Sequence, residues 1–473
     1  MSIRVPQTKQ IVVLILLLAL AAVLAANLGA MMAPAKEQEP AKAKRKTVGP
    51  LPSVIAAPIP SGVTAPPVPP TGFSSQVRLG FFNGDQWEPA IAADRFGHVY
   101  ILYAQYYGVP GCETCGNPTQ ILQISNDHGA TWGPPTVMYS EGANTGQWDS
   151  QIAVDPNDGR TVYAVWMEAN KSDIAVAKST DFGATWSVVI ADATNAAVDK
   201  PILAVRGQDV YVSYTHAQKF YVASSHDGGQ TFTQSEIKFK GKLGWALAGG
   251  GYVAPDGTAY MSWDGYEQNG GAKGNVNLVI SKSTDGGATW TNTLVDVSRA
   301  PEKCPADYLC GWAYLGAQIV MAGDEAGNVY ALSNANNVDF GPARTYFYKS
   351  TDSGATWSSR VDVSTAGPNI SHNFPAIAAT GDGDVRISWM DERTNNWWNT
   401  YYRSSTNGGS TWTAEKDVSD FVSGYSYLTA DGFRFPFGDY YEIDIDEQGT
   451  THIIMGEGYS YDSPGSIWYV RGQ

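Results

Sequence analysis

An all-β fold assembled from repeated antiparallel sheets is predicted for this chain by three observations. An eight-residue phrase recurs six times, a longer strand-forming phrase recurs seven times, and the composition is turn- and strand-like, with 50 Gly, 26 Tyr and 15 Trp and no long amphipathic helical run. Successive copies of the short phrase lie 46 to 67 residues apart. That interval is the length of a whole structural unit, far beyond any helical or strand period.

The short phrase reads SNDHGATW at 125–132, STDFGATW at 179–186, SHDGGQTF at 225–232, STDGGATW at 283–290, STDSGATW at 350–357 and STNGGSTW at 405–412. Its third residue, Asp127, Asp181, Asp227, Asp285, Asp352 or Asn407, is a side chain able to accept hydrogen bonds from backbone N–H groups just ahead of it. The glycine that follows tolerates a positive φ, and the closing Trp or Phe offers a broad apolar surface to the sheet below. Together these residues describe a turn between two strands, which assigns the six Asp/Asn positions a structural role.

At the N-terminus, Arg4 and Lys9 precede an apolar run at 11–26, and low polarity continues to Met32. Residues 1–32 therefore read as a cleaved signal peptide or a retained membrane anchor, long enough to cross a bilayer at 1.5 Å per residue. Either reading sends the rest of the chain to the cell surface or outside the cell. Residues 33–74 form a Pro/Ala-rich linker without a core-forming pattern, an extended tether ahead of the folded region at 75–473.

The longer phrase marks the first two strands of each unit. Its copies are EPAIAADRFGHVY from Glu88, DSQIAVDPNDGRTVY from Asp149, DKPILAVRGQDVY from Asp199, ALAGGGYVAPDGTAY from Ala246, QIVMAGDEAGNVY from Gln318, FPAIAATGDGDVR from Phe374 and YYEIDIDEQGTTH from Tyr440. The seventh unit offers three strands only. A strand at 76–81, before the first complete unit, supplies the missing fourth and closes a ring that would otherwise expose sheet edges.

The short phrases resemble the Asp-box, or BNR repeat, of the sialidase superfamily across 75–473. The resemblance implies a β-propeller, here of seven blades of four antiparallel strands where sialidases typically have six. It also places the Asp-box turns between third and fourth strands, on the face away from the usual ligand site.

Four cysteines fall into two local pairs, Cys112 with Cys115 and Cys304 with Cys310, and disulfides are the expectation for an exported chain. A net charge of −15 and a pI near 4.8 argue against a nucleic-acid partner.

Function is expected in the loops opposite the Asp-boxes. Tyr106, Tyr107, Trp148, Trp312, Trp397 and Trp398 form a set suited to stacking on a glycan or contacting an extracellular protein, or to covering sheet ends. Glu88, Asp149 and Asp199 fall in one register of the long phrase. Strand capping, a hard-cation site such as calcium, and proton donation are the alternatives.

The sialidase resemblance further implies an arginine clamp for a carboxylate, an acid/base Asp and a Tyr nucleophile. Its loose matches here are Arg78, Arg393, Arg403, Arg434, Asp439 and Tyr440, but Arg78 is followed by Leu79 and Gly80 where the family carries Ile-Pro. The expectation is an exported propeller that binds glycan or protein, with a sialidase-like exo-glycosidase as the alternative.

Overall fold

The computed structural model describes residues 69–81, 84–194, 196–268, 274–302, 316–394, 397–419, 440–458 and 465–473, together with a short strand at Arg45–Thr47. The strand phrases become seven four-stranded antiparallel sheets. Blade 1 comprises Asp85–Ala93, Val99–Tyr106, Thr119–Ser125 and Thr136–Val137. Blade 2 comprises Trp148–Val154, Val162–Glu168, Asp173–Ser179 and Ser187–Ala193, and Arg45–Thr47 pairs along the outer edge of its last strand. The inner strands of the remaining blades are Val198–Arg206, Trp245–Val253, Gln318–Gly323, His372–Thr380 and Glu442–Ile445. Each inner strand packs against the next, and that of blade 7 packs against that of blade 1, so the sheets surround one axis.

Ring closure follows the expected route. Blade 7 takes Glu442–Ile445, Thr451–Gly458 and Gly465–Gly472 from the end of the chain and Val77–Arg78 from its beginning, with Val77 opposite Tyr469 and Arg78 opposite Trp468. The packed chain starts earlier than the linker boundary expected at 74. Phe73 is buried against Tyr402, Met455 and Trp468, Gly72 O accepts from Gln473 N at 3.0 Å, and Lys416 Nζ donates to Thr71 O at 2.8 Å. Phe73 is an apolar anchor sitting in a stretch whose Pro-rich neighbours masked it.

The apolar core is divided among the blade interfaces. Seven clusters of buried residues fill the seven gaps between neighbouring blades. Apart from Trp87 on the inner strand of blade 1, the largest fully buried rings come from second strands, among them Trp166, Trp263 and Trp389, because both faces of that strand are covered.

The Asp-box turns have the hydrogen bonds their sequence requires. In blade 2, Ser179 Oγ donates to Asp181 Oδ1 at 2.8 Å, Gly183 N donates to Ser179 Oγ at 2.9 Å, and Thr185 donates from N and Oγ1 to the Asp181 carboxylate at 2.8 and 2.6 Å. Trp186 then folds back, Nε1 donating to Gly183 O at 3.0 Å. Asn407 completes the same turn with its amide, Nδ2 donating to Thr411 Oγ1 at 2.8 Å. These turns share a face with the first-to-second-strand turns, as His128 N to Gly97 O at 2.8 Å shows. The opposite face is left to the starts of the inner strands.

Candidate functional site at the channel mouth

Four inner strands begin with a bulge, and in blade 3 the bulge residue, Lys200, lines the axial channel. Ladder registers slip between Trp87 and Ala90, Trp148 and Gln151, Asp199 and Ile202, and Asn373 and Ala376. In each slip one non-glycine residue is left-handed: Glu88 at φ 56°, Asp149 at 49°, Lys200 at 38° and Phe374 at 54°. Such a conformation costs of order 1 kcal/mol or more per residue, and it recurs at one place in four blades.

The bulge corrects the expected trio of acids. Asp199 pairs with Thr215, in register with Trp87 and Trp148, one step before the slip. The partner of Glu88 and Asp149 is Lys200, so a cation stands where a third carboxylate was expected. Asp149 instead accepts the Lys200 backbone N–H at 3.1 Å, a capping contact between blades 2 and 3.

Lys200 reaches into the channel, whose free volume is about 380 Å³. Its ammonium lies 4.3 Å from the ring centre of Tyr440, and the residue is buried. Below Tyr440, the inner strand of blade 7 carries Glu442 and Asp444 on alternate positions. Glu442 Oε2 accepts from Ile91 N at 3.1 Å and its Oε1 from Gln151 Nε2 at 2.9 Å, while Asp444 Oδ2 accepts from Ala93 N at 2.7 Å. Gln151 Oε1 takes the Leu203 N–H, so one amide joins three blades.

Burial dominates the chemistry of these acids. It pushes the Glu442 carboxyl up to about 8 despite its hydrogen bonds and the opposing charge of Lys200. Burial likewise pushes Asp444 up to about 6. Asp264, fully buried in the second strand of blade 4, is driven well above the carboxylate range, again with Lys200 pulling the other way. The channel thus brings together the Lys200 ammonium, the Tyr440 ring and the Glu442 carboxyl, which burial biases toward its protonated form at neutral pH.

The arginines sit elsewhere. Arg78 is buried on the closing strand opposite Trp468. Arg393 is ion-paired with Asp391 and Glu415, donates to Ser364 Oγ at 3.0 Å and stacks 3.9 Å from the ring centre of Tyr401. Arg403 donates to the carbonyls of Thr413 and Val363 at 2.8 and 2.7 Å. Arg434, Asp439 and Trp312 lie outside the described residues, as do Cys304 and Cys310 and the hydrophobic segment 1–32.

Of the aromatic set, Tyr107 is 56% exposed, Tyr106 ends the second strand of blade 1, and Trp148 is half-buried with Lys171 Nζ 5.0 Å from its ring. Trp397 and Trp398 open the third strand of blade 6, and only their backbone is described. Cys112 and Cys115 form the expected disulfide. Sequence reasoning missed Lys200, Glu442, Gln151 and Asp264. The alternating EIDID of blade 7 was the available signal, an acidic face on a strand that should be apolar.

A family described as a BNR repeat-like domain matches residues 74–302. A xyloglucanase from Paenibacillus sp is 28% identical over 260 residues, which span 50% of this chain and 23% of that protein. Among solved structures, an ulvan lyase bound to a GlcA(1-4)Rha3S fragment superposes with a TM-score of 0.50 at 13% identity, covering 83% of this chain and 95% of the other. A Hadza microbial sialidase gives 0.45 at 16% identity over 82% of this chain and 66% of its own. The chain accordingly spans about a quarter of the xyloglucanase and about two thirds of the sialidase. With its six Asp-box turns and seven four-stranded blades, this protein is an Asp-box β-propeller whose residues 74–302 match the BNR repeat-like domain.

Proposed function

We propose that the protein is an exported propeller that binds glycan at the channel mouth, on the face opposite the Asp-box turns. The observation that carries this reading is the convergence of Lys200, Tyr440 and Glu442 on one channel: an ammonium and a carboxyl suited to sugar hydroxyls beside an aromatic face suited to a sugar ring. The relatives named for carbohydrate substrates support the ligand class. Arg393, already neutralised by two carboxylates, fits a structural post better than a clamp for a substrate carboxylate.

A second reading, exo-glycoside hydrolysis, is favoured by Glu442. A carboxyl held protonated to about pH 8 is suited to donating a proton to a leaving group. Calorimetric titration with neutral and acidic oligosaccharides, run beside turnover assays on chromogenic sialosides and neutral exo-glycosides, separates the two. Binding without turnover that is lost in Lys200→Met supports the binding reading; turnover abolished by Glu442→Gln replaces it with hydrolysis. Failure of every glycan to bind, with capture of an extracellular protein instead, overturns the ligand class.

A further inference from the structure

On the Asp-box face Asp94, Asp324 and Asp446 organise the inner-strand turns of blades 1, 5 and 7, and in the first two the outer oxygen accepts a tyrosine hydroxyl six residues on. Tyr100 donates to Asp94 Oδ2 and Tyr330 to Asp324 Oδ2, both at 2.8 Å. Blade 7 keeps the spacing but replaces the tyrosine with His452. That imidazole is fully buried, its Nδ1 lies 2.7 Å from the Tyr469 hydroxyl, and its Nε2 stands 3.3 Å from Asp446 Oδ2.

The neighbouring blade brings a second imidazole to the same oxygen. His128, from the first Asp-box phrase, places Nδ1 at 3.1 Å from Asp446 Oδ2, and Glu447 Oε1 lies 3.7 Å from that nitrogen. The donor atoms of His128, Asp446 and Glu447 all fall within 4.8 Å of one another. No other such cluster occurs among the described residues; His98, 2.7 Å from Asp94, has no third ligand beside it.

We propose that His128, Asp446 and Glu447 bind a divalent ion of the zinc type, joining blade 7 to blade 1 with His452 behind them. With metal–ligand bonds of about 2.1 Å, the two observed separations subtend about 95° and about 125°, which bracket the tetrahedral angle. An imidazole nitrogen in a three-ligand set selects zinc-like ions over calcium or magnesium, which take mainly oxygen ligands. His128 Nδ1 donates to Asp446 while its Nε2 faces Gln448 Nε2 at 2.8 Å. Binding at Nδ1 moves the ring proton to Nε2, and Gln448 turns its amide oxygen to accept it.

The site spans the junction that closes the ring, so the bound ion stabilises the closed propeller by mass action. It lies at the far end of the channel from Lys200 and stands independently of the glycan reading.

The test uses the untagged full chain, stripped with EDTA and titrated calorimetrically with zinc chloride and, separately, calcium chloride. One zinc per chain, with a Kd at or below about 10 µM and an increase of about 3 °C or more in Tm, is expected. His128→Phe is a conservative probe of the fold, because Phe182 holds the same position in the second Asp-box at φ 60°, against 56° for His128. That variant and Glu447→Gln should each weaken zinc binding at least tenfold, and the stripped variants should melt near the stripped parent. Absence of zinc binding at 100-fold that Kd, equal binding by both variants, or calcium binding as tight as zinc overturns the assignment.

Discussion

Lys200 illustrates how one side chain sets the charge state of its surroundings. Its ammonium pulls down on both Glu442 and Asp264 while burial pushes them up, and burial prevails. Replacing it with Met should therefore weaken glycan binding at least tenfold and raise the Glu442 titration further above about 8, a shift that carboxyl-detected NMR would register. A mere packing role would leave that titration where it was. The raised pKa also has a consequence for stability. Glu442 ionises near 4.5 in the unfolded chain but near 8 in the folded one, so between those values the native state holds the extra proton. Its contribution is complete below pH 4.5 and is lost by pH 8. Urea unfolding should show the parent weakening as pH rises from 5 to 8, relative to Glu442→Gln, by no more than about 1.4 kcal/mol per pH unit and by less where water reaches the carboxyl. Parallel slopes for the two proteins would contradict it.

At the scale of the turn, the Asp-box carboxylate works in the opposite direction. Although burial pushes Asp127 up, hydrogen bonds from Thr131 and Ser125 outweigh it and hold it at about 2. Its stabilisation is present above the ordinary value of 3.8 and fades as pH falls through about 2. Asp181→Ala removes the bonds from Ser179 and Thr185, so chemical denaturation should show a loss of roughly 1–3 kcal/mol, whereas Asp181→Asn, imitating Asn407, should retain most of that stability and lose its acid dependence. An alanine variant as stable as the parent would remove the turn from the list of stabilising elements. These turns were legible in the sequence because every bond in them is local: Ser, Asp, Gly and Thr lie within seven residues of each other. Strand phrases were legible for the same reason. Lys200 was not, since counting twelve residues back from the repeated Tyr assumes one turn length, and the turn of blade 3 is one residue shorter than that of blade 1, with Tyr211 opposite Ala204 where Tyr100 is opposite Ala92, so that Lys200 and not Asp199 matches Glu88. The roles of Glu442 and Asp444 were not legible because their partners, the N–H groups of Ile91 and Ala93, lie 351 residues away.

Across the molecule, no blade is complete by itself: each apolar cluster is shared by two, so the ring is only as stable as its last joint. That joint is made by residues 71–78. Val77 and Arg78 extend the last blade, Ser74 N donates to Arg471 O at 2.7 Å, and Phe73 is buried between blades 6 and 7, edge-on to Tyr402 with ring centres 5.0 Å apart. Trimming the chain to begin at Pro69 keeps every one of these contacts and removes only the three-residue edge pairing of Arg45–Thr47 on blade 2, so thermal unfolding of the propeller should be nearly unchanged. Beginning at Ser75 removes Phe73, and a buried aromatic typically contributes about 3–5 kcal/mol, so Tm should fall by several degrees although the closing strand is retained. Beginning at Leu79 deletes Val77 and Arg78 as well and uncovers the edge of Gly465–Gly472, for which aggregation or proteolysis of the last blade is expected. The order of the three truncations is the discriminating result. If the chain beginning at Ser75 melts with the one beginning at Pro69, Phe73 is a passenger and closure rests on the strand alone; if all three melt together, the ring holds through its remaining blade interfaces and the N-terminal strand is dispensable.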